Sequence, residues 1–258
     1  MTYKQSLISV LAFLLCSLAG TGIARTLEEV KALGAISMCA NPDALPYSSN
    51  QPDSLPGIQV EIGRAIAAGL GISLNIDWIV PRRRAKVVNC DLLFDRVNDP
   101  AVYEGRLLLS NPYHRSGIAI ALGRDAQPLT DYTQLEKGQK IGVMISSMAS
   151  VVLGKAGKST SPYAFESDML EDLLKGELYG IATSSTAISY YISSNPEKGL
   201  KIAYAFDSVP SLSWQVSVGL RNSDQLLLGE INAVLSKLLA DGTVTQIYQK
   251  YGVEHRQP

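Results

Sequence analysis

Ile58, Ile62, Ile66 and Leu70 recur at every fourth position, which places one apolar stripe on a helix running from Gly57 to Leu70. Short apolar runs flank that helix. Ala35-Ile36-Ser37-Met38-Cys39 precedes it and gives way at Asn41-Pro42 to a loop rich in Pro, Ser and Asn that lasts to Pro56. Leu74-Asn75-Ile76-Asp77-Trp78 follows it with the alternation of a strand, and Asn89 to Phe94 reads as another. A strand–helix–strand unit of this kind buries its helix stripe against a sheet, so the chain is expected to be α/β.

The second half has the same grammar. Lys140-Ile141-Gly142-Val143 is a strand that ends near Ser146-Ser147, whose hydroxyls can cap a following helix and whose N–H groups would face an anionic ligand. Asp168-Met169-Leu170-Glu171 has capping-box spacing for a helix reaching Lys175, and Gly180-Ile181-Ala182-Thr183 is the next strand. Leu227, Ile231, Val234, Leu235 and Leu238 form a stripe between Ser223 and Leu239; Asp241-Gly242 interrupts it, and Thr243 with Gln246 restarts a helix through Ile247 and Tyr251. Two α/β units of similar size are expected.

Lys4, the apolar core Leu7 to Leu18 and the small-residue end Gly22-Ile23-Ala24 have the order of a secretory signal peptide over residues 1–24, with a mature start near Arg25 or Thr26. Cys16 follows Leu14-Leu15, without the small residue that lipoprotein processing wants. The apolar core falls short of the ~20 residues that span a bilayer, and no later run is long enough. The expectation is therefore an exported periplasmic protein that does not span the membrane. Removing the signal leaves Cys39 and Cys90, enough for one bridge in an oxidising compartment. A formal net charge of −1 implies no nucleic-acid partner.

Gly154-Lys155-Ala156-Gly157-Lys158-Ser159-Thr160 looks like a phosphate-binding loop, but the spacing excludes it. Counting back from Gly157-Lys158-Ser159, the required first glycine falls on Val152. No nucleophile elbow, no metal-binding histidine pair and no cysteine cluster stands elsewhere, so no catalytic residue, metal or cofactor is expected. His114 reads as a solvated or structural histidine, and His255 lies where an end should fray. The basic run Pro81-Arg82-Arg83-Arg84-Ala85-Lys86 reads as a solvated face.

The ending Leu239-Ala240-Asp241-Gly242-Thr243, then Ile247-Tyr248-Gln249-Lys250-Tyr251-Gly252, resembles the close of the family 3 periplasmic solute-binding proteins of the polar amino acid type. Gly57 to Ile62 with Leu70-Gly71, Ser110-Asn111-Pro112-Tyr113 and Lys140 to Val143 resemble further family segments in the right order. The resemblance implies a type II periplasmic-binding-protein fold: two α/β lobes joined by two crossing segments, closing over ligand in the cleft. Projected on this chain, lobe one is residues 26–116 and 217–258, lobe two is residues 119–213, and the crossings lie near 113–118 and 213–218. In that fold the first and third strands are sheet neighbours, which implies a Cys39–Cys90 disulfide.

Two departures bear on the ligand. Family members hold an α-carboxylate with an arginine seven residues before the serine of the S-x-P-Y segment; that position here is Tyr103, with Arg106 out of register. Tyr179 and Ser184 stand where the lobe-two aspartates for an α-ammonium would be. Free α-amino acids should therefore bind weakly, and an uncharged or hydroxyl-rich small molecule fits better. The nominated ligand-binding positions are Tyr47, Asp95 and Tyr103 in lobe one, with Ser146, Ser147 and Ser184 in lobe two. Cys39 to Ser48, Trp78 with Pro81-Arg82-Arg83, Asn89-Cys90-Asp91 and Pro112 to Ser116 also resemble the MxaJ-type branch, encoded with PQQ-dependent methanol and alcohol dehydrogenases. The leading expectation is a monomeric, non-enzymatic binding protein that carries a small-molecule ligand to an ABC permease. The alternatives are an accessory protein of a periplasmic quinoprotein dehydrogenase and, through a further resemblance, an enzyme like the cyclohexadienyl dehydratases.

Overall fold

The structure, a computed structural model, describes residues 25–79, 88, 90–221 and 223–258. The expected signal segment and the basic run at 81–86 lie outside the described residues.

Helix α1 (Leu27–Leu33) starts at a capping box between Thr26 and Glu29 and stops at Gly34, whose φ of 63° only glycine adopts readily. It leads into β1 (Ala35–Ala40), then the small hairpin of β2 (Asp43–Ala44) with β3 (Ser48–Ser49), then α2 (Ile58–Gly69). β4 (Ser73–Trp78), β5 (Leu92–Val97), β6 (Leu107–Leu109) and β7 (His114–Leu122) follow. The second unit runs β8 (Ile141–Met144), α3 (Met148–Lys155), β9 (Thr160–Tyr163), α4 (Glu166–Lys175), β10 (Gly180–Ser184), α5 (Ser185–Ser194) and β11 (Lys201–Ala203). β12 (Ser213–Arg221), α6 (Gln225–Ala240) and α7 (Thr243–Lys250) complete the order.

β1 is flanked by β4 and β5, both parallel to it. The strand order continues β5-β12-β7-β10-β8-β9. The long strands β7 and β12 make the crossing: Ser213–Val216 of β12 pairs antiparallel with His114–Gly117 of β7, the rest of β12 pairs with β5, and the rest of β7 pairs with β10. The buried apolar residues separate on either side of that crossing. One cluster joins Ile36, Ile62 and Leu92 to Val218, Ile231 and Tyr248. Two others, around Ile120, Leu153 and Phe206 and around Met169 and Leu173, draw their buried residues from the far part of β7 through Leu212.

The α2 stripe is as the spacing predicts, with Ile58, Ile62 and Ile66 buried. Cys39 and Cys90 are bridged, with Cα atoms 5.6 Å apart. The Gly154–Thr160 stretch is the end of α3, a turn at Gly157 and the start of β9. Its Lys158 donates to the carbonyls of Thr133 and Leu135, both at 2.6 Å, so this lysine ties down a loop. Two sequence readings are corrected. Asp168 does not cap α4: the helix begins at Glu166 behind Phe165, with no side-chain cap, and Asp168 lies within its first turn, where a carboxylate favours the helix dipole. His255 is not frayed, for it is half-buried and hydrogen-bonded through both ring nitrogens.

Candidate binding cleft

Tyr47 is held by the start of α2. The Ile58 and Gln59 N–H groups, which lack partners inside the helix, donate to the carbonyls of Pro46 and Tyr47 at 2.8 and 2.9 Å. Gly57 makes this approach possible: a Cβ there would lie 2.4 Å from the Tyr47 carbonyl oxygen and 2.4 Å from Ser48 Cα.

Asp95 is placed by a bulge in β5. Ser217 pairs with Arg96 and Gly219 with Leu93, so Phe94 and Asp95 together face Val218, and Asp95 takes φ 51°. Its side chain accepts from the Tyr113 hydroxyl at 2.7 Å and from Gln59 Nε2 at 2.5 Å. No Lys, Arg or His nitrogen lies within 4.0 Å of this carboxylate among the described residues. Burial pushes the Tyr47 and Tyr113 phenols above their usual range, and the nearby Asp95 carboxylate adds to both shifts. The next residue, Arg96, also borders the cleft; it donates through Nε to the Phe94 carbonyl at 2.9 Å, and its stem packs where a Gly219 side chain would sit, beside Leu107.

From the second unit, Ser184 caps α5, accepting from the Ala187 N–H at 3.4 Å, and its hydroxyl meets the Tyr47 phenol at 3.0 Å. Tyr47, Asp95, Ser184, Thr186, Trp214 and His114 are among the walls of a cleft of about 670 Å³. Ser184 and Trp214 also border an adjoining hollow of about 310 Å³ that holds Ser147 and Glu166. Ser147 caps α3 through the Ser150 N–H at 3.2 Å, and Glu166 accepts from the Thr183 hydroxyl at 2.7 Å.

The nominated residues thus divide. Tyr47, Asp95 and Ser184 converge on the cleft, and Ser147 lines its annex. Ser146 is exposed at φ 60° and lines neither. Tyr103 ends a short 3-10 turn, Pro100–Tyr103, and is not a wall of either hollow; Arg106 is exposed and paired with Glu104 at 3.3 Å. Tyr179 bonds the Gln127 backbone. Gln59, Thr186, Trp214 and Glu166 are walls or partners that the sequence reading missed. Trp214 falls inside the expected crossing at 213–218, which was the available signal. Among the described residues there is no cluster of three or more His, Cys, Asp or Glu side chains able to hold a metal, and no helix long and apolar enough to cross a membrane.

The chain is 25% identical over 223 residues to the L-arginine-binding protein of Pseudomonas aeruginosa, covering 80% of this chain and 83% of that protein. It is 28% identical over 244 residues to the membrane-bound lytic murein transglycosylase F of Pseudomonas fluorescens, covering 88% of this chain but 48% of that enzyme. Among solved structures, the L-cystine solute receptor of Neisseria gonorrhoeae, in its unliganded open conformation, superposes with a TM-score of 0.76 at 18% identity over 90% of this chain and 99% of that one. Such neighbours are two-lobed periplasmic binding proteins, and the α/β architecture here is of that kind. The profile of the bacterial extracellular solute-binding proteins, family 3, matches residues 36–254, and the chain belongs to that family.

Proposed function

We infer that the protein is a non-enzymatic periplasmic receptor that closes two lobes, residues 26–116 with 217–258 and residues 119–213, over a small amine-bearing solute for an ABC importer. The observation that carries this reading is the corner made by Tyr47, Ser184 and Asp95. A phenol from one side meets a hydroxyl from the other beside a carboxylate that has two neutral donors and no cationic partner within 4.0 Å among the described residues. A carboxylate in a partly desolvated cleft favours a cationic ligand, because an ammonium supplies the missing opposite charge. The names of the relatives support an amine: an arginine-binding protein, and a probable amino-acid ABC transporter-binding protein of Haemophilus influenzae. A carboxylate on the ligand lacks the forked arginine, since Tyr103 stands at that position, and among the described residues the two arginines that border the cleft, Arg96 and Arg221, already donate to the carbonyls of Phe94 and Val88.

Calorimetry on refolded, ligand-stripped protein with matched pairs tests this: agmatine against arginine, and cadaverine against lysine. The decarboxylated member should bind at least ~10-fold more tightly, a difference of ~1.4 kcal/mol, and Asp95→Asn should weaken it. Equal or tighter binding of the amino acids, or no heat from any of the four, overturns the amine reading.

A further inference from the structure

The segment after α7 turns back across the junction of the two units. Val253 is buried in the first core. His255 Nε2 lies 2.8 Å from the Tyr113 carbonyl, which can only accept; Nε2 therefore carries the proton, and Nδ1, 2.7 Å away, accepts from the Thr245 hydroxyl. One residue later the chain holds the other unit. The Arg256 guanidinium pairs with the Asp207 carboxylate and lies 4.1 Å over the Tyr204 ring, both in the connection between β11 and β12. The Arg256 backbone joins β7 itself: its N–H donates to His114 Nδ1 at 3.3 Å, and its carbonyl accepts from the Arg115 N–H at 2.8 Å. Arg115 completes the junction by donating to the Asp207 carbonyl at 2.9 Å.

We propose that residues 252–258 form a third connection between the lobes, beside β7 and β12, and that the Arg256–Asp207 pair biases the cleft toward its closed arrangement. Two features tie this strap to the cleft. The cleft walls His114 and Tyr248 stack on each other with ring centroids 4.3 Å apart, and His255 of the strap lies against both, at 5.6 and 5.2 Å. Burial, with His255 and Arg256 close by, holds His114 far below its usual range, at about 3, so its Nδ1 stays free to accept from Arg256. Helix α5 is the second link. Its N-cap Ser184 touches Tyr47, while near its other end Ser193 presses on Gly252, where a Cβ would sit 1.8 Å from Ser193 Oγ. This helix of 10 residues, ~15 Å long, thus rests on the first unit at both ends, and the strap contact is its inner bearing.

Guanidinium–carboxylate pairing is the strongest polar contact of the strap, and with the Arg256 side chain 13% and the Asp207 side chain 36% exposed, the pair is partly shielded from solvent. The test is small-angle scattering on the ligand-free full chain, which separates it from the choice of solute. Arg256→Ala and Asp207→Asn should each raise the radius of gyration by roughly 1 Å from the ~17–18 Å expected for a compact chain of this size. Arg256→Lys keeps the charge but loses the planar guanidinium that lies over the Tyr204 ring, so it should give a smaller rise. The swapped pair, Arg256→Asp with Asp207→Arg, should recover at least half the shift. Circular dichroism identifies the folded variants. If folded Arg256→Ala or Arg256→Lys has the radius of the parent, the strap does not bias the lobes and the proposal falls.

Discussion

The phenol oxygen of Tyr47 and the hydroxyl oxygen of Ser184 lie 3.0 Å apart, although 137 residues separate them in the chain. One sits on the loop that α2 holds in place, the other at the head of α5, so this bond joins the two units on the cleft side. A part-buried bond between neutral hydroxyls contributes about 0.5–1.5 kcal/mol net. A double-mutant cycle of Tyr47→Phe and Ser184→Ala in denaturant unfolding should give a coupling of about 1 kcal/mol. Additive effects would show that the two residues do not bond in solution.

Gly57 has φ 101°, and a Cβ at this position would run into the backbone of Tyr47 and Ser48 at 2.4 Å. Gly57→Ala must therefore strain the turn or push the Tyr47 loop away from α2. The expected loss is of order 1–3 kcal/mol in stability, larger than for Gly154→Ala, where the added methyl meets nothing within 4 Å. Equal stabilities of the two variants would contradict the close approach.

His114 is 3% exposed and neutral, its pKa lowered to about 3 first by burial and then by His255 and Arg256. In the unfolded chain it titrates near 6.5. The stabilisation of the neutral ring is complete above pH 6.5 and is lost as pH falls from there toward about 3, because the unfolded state takes up the proton first. The slope approaches ~1.4 kcal/mol per pH unit in that window. Urea unfolding from pH 8 to pH 4 should show this fall, and His114→Asn, which keeps an acceptor for Arg256, should flatten it. Parallel curves for the two proteins would remove His114 as the cause.

The Cys39–Cys90 bridge spans a sequence separation of 51 residues. In the chain-entropy account, closing a loop of that length stabilises the fold by ~4 kcal/mol. Cys39→Ser combined with Cys90→Ser should lower the unfolding free energy by a comparable amount, and alkylation of the native, unreduced mature protein should find no free thiol at either position. Two alkylated cysteines would show the bridge absent.

Local pattern determined the elements of this protein. A period near 3.6 at Ile58, Ile62 and Ile66 and at Leu227, Ile231 and Leu235 places the buried stripes of α2 and α6, because those stripes depend only on neighbours within two turns. The closing segment with Asp241-Gly242 and Tyr251-Gly252, in order with the earlier ones, pointed to the family and, through its sheet order, to the disulfide. Tertiary structure decided which of the nominated positions meet and which other residues join them. Tyr47, Asp95 and Ser184 lie on separate elements, and only the paired crossing of β7 with β12 brings their loops to one cleft. Asp95 meets Gln59 and Tyr113 at a single bulge in β5, and no periodicity announces where the extra residue falls. His255 reads as a frayed end in sequence, since its partners are the Tyr113 carbonyl and the Thr245 hydroxyl. The first of these is 142 residues away, and a hydrogen bond of that range becomes visible only once the chain has folded.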